Sequence, residues 1–170
     1  GNLTAILNQI RLGELMGLAD LDKLTGSMTV KADWKNVKEL AGEGTIEIDT
    51  VRYKNVSTGN INISLSVNKN LCQFNIMASD PSVMCGFNGL FGWENNTLHG
   101  NISGSFDIDE GRLHLVPFAL KTKGEIAARI YKTTGTMESS LDLNNFYITK
   151  GNVSSGIKRT SLGLTMADSL

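Results

Sequence analysis

Apolar and polar side chains alternate with a period of two along most of this chain. A polymer with that rhythm buries its apolar groups by laying extended segments side by side, with one dry face and one wet face. Ile61, Ile63, Leu65 and Val67 are separated by Asn62, Ser64 and Ser66. Met28, Val30, Ala32 and Trp34 interleave with Thr29, Lys31 and Asp33, and Cys72, Phe74 and Ile76 interleave with Gln73 and Asn75. The two prolines and eighteen glycines suit strands joined by tight glycine turns, and the Asn, Ser and Thr between the apolar positions suit wet strand faces. Such a chain offers one long apolar surface and one long polar one, which is chemistry for holding something greasy or for holding distance rather than for turnover.

The pattern predicts an all-β chain with strands at 3–12, 27–34, 44–53, 60–68, 71–78, 83–91, 98–108, 113–120, 124–131 and 136–143, and further ones at 146–149 and 160–166. Residues 3–18 are expected to form a strand followed by one short helical turn. Turn signals punctuate the strands at Asn68-Lys69-Asn70, Asp80-Pro81-Ser82, Asn95-Asn96, Asp109-Glu110-Gly111 and Thr133-Thr134-Gly135. Regular strands without intervening helices leave a sandwich, a barrel or an open solenoid-like sheet. Apolar parity slips between Ile46, Ile48 and Val51, Tyr53, so an extra residue near Asp49 or Thr50 is expected to form a bulge that curls the sheet.

Residues 24–34 also resemble 121–131, with Gly26 over Gly124, and Ile46-Glu47-Ile48-Asp49 resembles Leu141-Asp142-Leu143-Asn144. An offset near one hundred residues divides the chain into two candidate repeats, about 3–95 and 98–170, within a single segment of a longer repetitive β-sheet protein. The chain starts and stops inside patterned sequence, as expected of such a segment. No run of eighteen apolar residues and no signal-peptide pattern is present, so any anchor is expected to lie outside it.

The 16 basic and 17 acidic residues, 19% of the chain, are nearly balanced and give no nucleic-acid footprint. His99 and His114 stand on different predicted strands with no ligand-spaced Cys or carboxylate cluster, so neither metal nor cofactor is expected. Asp107, Asp109 and Glu110 read as solvated turn residues rather than as an acid–base pair. With no nucleophile elbow and no phosphate-cradling loop, an enzyme is not expected. A turn at Asp80 and Pro81 would place Ile76 opposite Cys85 and Phe74 opposite Phe87, two cross-strand pairs from bringing the cysteines together. The predicted state of Cys72 and Cys85 is therefore two free, buried thiols. Asn2, Asn55, Asn62, Asn95, Asn101 and Asn152 each open an Asn-x-Ser/Thr triplet, which the Asn-rich composition explains as well as glycosylation does.

The stretch from Ile48-Asp49-Thr50-Val51-Arg52-Tyr53 through Asn60-Ile61-Asn62-Ile63 resembles a strand pair of TamB-like proteins. Ser79-Asp80-Pro81-Ser82-Val83 through Phe87-Asn88-Gly89 is similar to a turn and strand of their Bacteroidetes members. Gly104-Ser105-Phe106-Asp107-Ile108 with Leu113-His114-Leu115, and Gly135-Thr136-Met137 with Leu141, Leu143 and Phe146, are similar to later segments in the same order. The resemblance covers most of 20–150. It implies a translocation and assembly module protein of the AsmA-like superfamily, anchored in the inner membrane and crossing the periplasm of a Gram-negative cell. Such proteins form a curled β-sheet half-pipe, the β-taco, with an apolar concave face. They are linked to phospholipid transport and to outer-membrane protein assembly with a BamA-like barrel partner.

On that reading the trough residues are Met28, Val30, Trp34, Ile46, Ile48, Ile61, Ile63, Leu65, Val67, Phe74, Ile76, Val83, Phe87, Ile102, Phe106, Ile126 and Ile130, and the partners are phospholipid acyl chains. A seven-residue strand spans roughly 23 Å, more than the roughly 15 Å of one leaflet's hydrocarbon. An uncovered apolar face of this size also makes self-association of the isolated chain an expectation. The alternative is a structural or adhesive β-solenoid or sandwich of a secreted surface protein, in which the same face is ordinary core.

Overall fold

The computed structural model describes residues 2–10, 21–33, 41–53, 56–113 and 119–167. Ten strands form one sheet: β1 (Asn2–Ile10), β2 (Leu21–Asp33), β3 (Ala41–Tyr53), β4 (Val56–Asn68), β5 (Leu71–Asp80), β6 (Val83–Glu94), β7 (Thr97–Asp109), β8 (Lys121–Lys132), β9 (Thr136–Lys150) and β10 (Val153–Ala167). Each strand is antiparallel to the next in a simple meander, and the sheet does not close. Nine spacings of about 4.8 Å make it about 43 Å across, at the width where a twisted open sheet must curl or split. It curls. One helical turn, α1 (Glu110–Leu113), follows β7 and lies against both β8 and β4, three strands back.

Three hairpins, at Lys69-Asn70, Asn95-Asn96 and Gly151-Asn152, close on two-residue turns that use left-handed dihedrals. Asn95 and Asn96 both have positive φ, 49° and 63°, the requirement of the mirror-image turn whose twist matches the flanking strands. Lys69 (53°) and Gly151 (58°) open two others. The Gly151-Asn152 hairpin carries no signal that the sequence reading recognised, and it joins β9 to β10, each fifteen residues long and β10 much longer than the expected 160–166. Segments 136–143 and 146–149 are one strand with a bulge at Asn145 (φ 48°). The predicted strand 113–120 is corrected where it is described: Leu113 ends α1, and residues 119–120 are not strand. The predicted helical turn after β1, Trp34 and His114 lie outside the described residues.

The expected bulge is present. Thr25 pairs with Thr50 and Gly26 with Ile48, leaving Asp49 as the extra residue. The β8–β9 ladder shifts similarly between Lys123 and Glu125, around Gly124, the residue that the sequence echo aligns with Gly26. Both glycines sit where a ladder is irregular; at Gly26 the facing backbone of Glu47 and Ile48 approaches closely, and at Gly124 the rings of Phe106 and Phe146 do.

The β5–β6 register differs from expectation by two residues. Because the turn is Pro81-Ser82, Ala78 lies opposite Cys85, Ile76 opposite Phe87 and Phe74 opposite Gly89. Cys72 lies opposite Phe91, so the thiols are separated by the six residues from 72 to 78, about 20 Å along the sheet. They are free, and half-buried rather than buried. Oxidation should therefore leave the intact mass unchanged and alkylation should add two equivalents. A mass two hydrogens lighter after oxidation would contradict this register.

Buried apolar side chains are scarce among the described residues: Leu24, Ala78 and Leu113. Leu113 belongs to the end of the sheet where α1 sits, and buried Ser82 closes the β5–β6 turn. Here the Ser82 backbone N–H donates to the Asp80 carboxylate at 2.8 Å and its hydroxyl donates to the same oxygen. Asp109 pairs with Lys121 at 3.0 Å and with Arg112 at 3.5 Å. The Ser82 side-chain and backbone donors hold Asp80 below the usual 3.8, and the Lys121 ammonium does the same for Asp109. A depressed folded-state pKa contributes stability that is complete above about 3.8 and fades as pH falls through the folded value. Melting temperature should therefore be flat from neutral pH to about 5 and fall below 4. Asp80→Asn should melt lower at pH 7 with a shallower acid limb, and an unchanged limb would place the acid sensitivity elsewhere.

Candidate functional site

Cross-strand register decides which side chains share a face, because directly paired residues project to the same side. Four ladders of pairs run across the sheet on one side. The first is Met28–Ile46–Ile63–Ile76–Phe87–Gly104–Ile126–Leu143, and the second is Val30–Gly44–Leu65–Phe74–Gly89–Ile102–Ala128–Leu141–Leu162. Flanking them are Val67–Cys72–Phe91–Gly100–Ile130–Ser139–Leu164 and Gly26–Ile48–Ile61–Ala78–Cys85–Phe106–Gly124. Val83 shares the parity of Cys85 and Phe87 on β6. Every anticipated trough residue within the described residues lies on this face. Most are half-buried, and Leu65, Leu141 and Leu162 are exposed.

The opposite face carries the wet ladders. Thr29–Thr45–Ser64–Asn75–Asn88–Ser103 is one of them. Asn75 donates to Asn88 at 2.6 Å, and Ser161 donates to Asp142. His99 lies on this side between Gly92 and Tyr131. Asp107 faces Met84 and Lys123 there, while Asp109 is taken up by Lys121 and Arg112.

The sequence reading missed what the glycines do. Four phenylalanines each sit directly opposite a glycine on the next strand: Phe74–Gly89, Phe87–Gly104, Phe91–Gly100 and Phe106–Gly124. A β-carbon on Gly89, Gly100 or Gly104 would run into the ring of its partner, and one on Gly124 would stand 3.1 Å from Phe106 and 3.2 Å from Phe146. The rings thus lie down over bare backbone, the arrangement in which an aromatic covers a strand glycine. Phe74 also stacks on Phe91 at 6.0 Å and 18°, and Phe106 meets Phe146 at 6.4 Å. On the dry face these four rings lie low, each over the glycine opposite it. One signal was readable: Gly44, Gly89, Gly100 and Gly104 stand two residues from Ile46, Phe87, Ile102 and Phe106, at apolar parity inside strands instead of in turns.

Two hollows follow from the curvature. On the dry side, β6–β10 form a hollow of about 470 Å³ lined chiefly by Phe91, Gly100, Ile102, Ala128, Ile130, Leu141, Leu162 and Leu164. On the wet side, β2–β7 form one of about 610 Å³ lined by Thr, Ser, Asn and Gln side chains with the exposed Lys31–Glu43 pair at one end. The wet hollow had no counterpart in the sequence reading.

The whole chain exposes 11830 Å² at 18.4 kDa, where a compact monomer of that mass exposes about 8200 Å². The difference, about 3600 Å², is on the scale of an obligate interface. Among the described residues, no second layer lies over the dry side of the sheet. No family model, curated protein or solved structure matches this chain.

Proposed function

We propose that this chain is a non-enzymatic segment of a TamB-like, AsmA-like envelope protein. Its dry face carries phospholipid acyl chains across the periplasm of a Gram-negative cell, and its parent chain works with a BamA-like barrel in outer-membrane protein assembly. The observation that carries the proposal is the continuity of apolar ladders from β2 to β10 on a face that no second layer covers among the described residues. Each methylene moved from water onto such a face contributes about 0.8 kcal/mol without any directional contact. A surface that is dry, continuous and smooth therefore accommodates tails of many lengths, and the Phe–Gly paving supplies smoothness. The order of motifs shared with TamB-like proteins supports the cellular setting.

Protein purified without harsh detergent should carry phospholipid, detected by mass spectrometry of the folded chain. A lipid-free chain with an intact sheet would remove the lipid reading and favour a purely structural role.

A further inference from the structure

Beside the dry hollow runs a fifth ladder, Trp93–Leu98–Lys132–Met137–Met166. It shares the parity of the apolar ladders, since Trp93 follows Phe91 by two residues and Lys132 follows Ile130 by two. Lys132 is the one charged residue in these five dry-face ladders. It is exposed and has no ion-pair partner among the described residues. An ammonium placed on the oily side of a sheet, one ladder from a hollow lined by Ile130, Leu141 and Leu164, combines a greasy seat with a positive charge beside it.

The dimensions agree with a lipid tail. The hollow crosses β6 to β10, four spacings of about 4.8 Å or roughly 19 Å, against the roughly 15 Å depth of one leaflet's hydrocarbon. Ala128, with only a methyl group between Ile102 and Leu141, lowers the floor where a tail would pass. The Lys132 ladder runs parallel to this span with Lys132 on β8 at its middle, so a headgroup held there leaves two spacings, roughly 10 Å, of the hollow to either side.

We infer that the β6–β10 hollow seats one acyl tail of an anionic phospholipid, with Lys132 holding its phosphate at the rim. This rests on the lipid reading above and adds a place and a charge preference to it. Lys132 is a positioning cation whose flexible stem follows the apolar rim while its head stays in water. The exposed Trp93 and Met166 on the same ladder provide the half-wet border at which a headgroup is stable.

The delipidated chain is incubated with vesicles of phosphatidylglycerol or of phosphatidylcholine, and bound lipid is counted by mass spectrometry. The chain should take up phosphatidylglycerol about fivefold better, the preference that one lysine at an anionic surface confers. Lys132→Gln should bring the ratio close to one by lowering phosphatidylglycerol uptake more than phosphatidylcholine uptake, and Ala128→Trp, which fills the hollow, should reduce uptake of both. Equal uptake of the two lipids by the unaltered chain would overturn the inference and leave the lipid reading standing. So would a preference that survives Lys132→Gln, or full uptake by a folded Ala128→Trp chain. Failure to load either lipid overturns both readings, and loading of palmitate alone in a third arm overturns the assignment to phospholipid.

Discussion

Replacing Gly104 by alanine should destabilise the sheet by about 2–4 kcal/mol, whereas Gly86→Ala should stay within about 0.5 kcal/mol of the unaltered chain or gain slightly. The two glycines lie on adjacent, hydrogen-bonded strands, Gly86 opposite Ser105 and Gly104 opposite Phe87, so strand propensity and backbone entropy affect them alike. Their surroundings differ. A β-carbon at Gly86 meets nothing within 4 Å, while one at Gly104 runs into the Gly86 carbonyl oxygen and the Phe87 ring and stands 2.8 Å from the Phe87 α-carbon. Two of those three obstacles are backbone and cannot swing away, so the ladder itself must part or Phe87 must leave its seat. For a chain of this length the loss corresponds to a fall in melting temperature of roughly 4–16 °C. Equal effects at the two positions would mean that the Phe–Gly paving is incidental to stability.

Leu141→Asp should strip the chain of bound lipid with little effect on folding. Leu141 lines the dry hollow between Ala128 and Leu162, yet 41% of it is exposed, so its contribution to the core is small. Placing a carboxylate against a lipid tail costs about 2.5–3.5 kcal/mol, close to a hundredfold or more in affinity. Ser103→Asp is the matching control, since it adds the same charge to the wet face of β7, opposite Asn88 and Ala127. Lipid content measured together with the melting curve should fall in the first variant and persist in the second. Loss in both would point to net charge, and loss in neither would place the lipid away from this face.

Much of the dry face could be read along the chain because alternation is a local property. Ile61, Ile63, Leu65 and Val67 must share a side whatever their strand pairs with, so listing the dry residues required no knowledge of neighbours. The slip of parity at Asp49 was visible for the same reason. Strand lengths were less visible, since glycines and hydroxyl residues at apolar parity, such as Gly44, Gly100, Ser139 and Thr160, interrupt the rhythm without interrupting the strand. The register of β5 on β6 was misplaced by two residues because it depends on which pair forms the turn. Asp80 could stand in the turn or end the strand, and its contacts with Ser82 settle it at the strand end. The repeated pairing of phenylalanine with glycine was invisible until register was known, since the partners are up to eighteen residues apart.

From its sequence alone, then, the chain determines that it folds as strands with one oily and one wet face, because the sidedness of an extended backbone is set residue by residue. Only the tertiary structure decides that the sheet stays open, that its rings rest on bare glycines, and that Lys132 stands at the rim of a dry hollow. Those outcomes depend on pairings between distant segments and on curvature accumulated across ten strands, which no local pattern encodes.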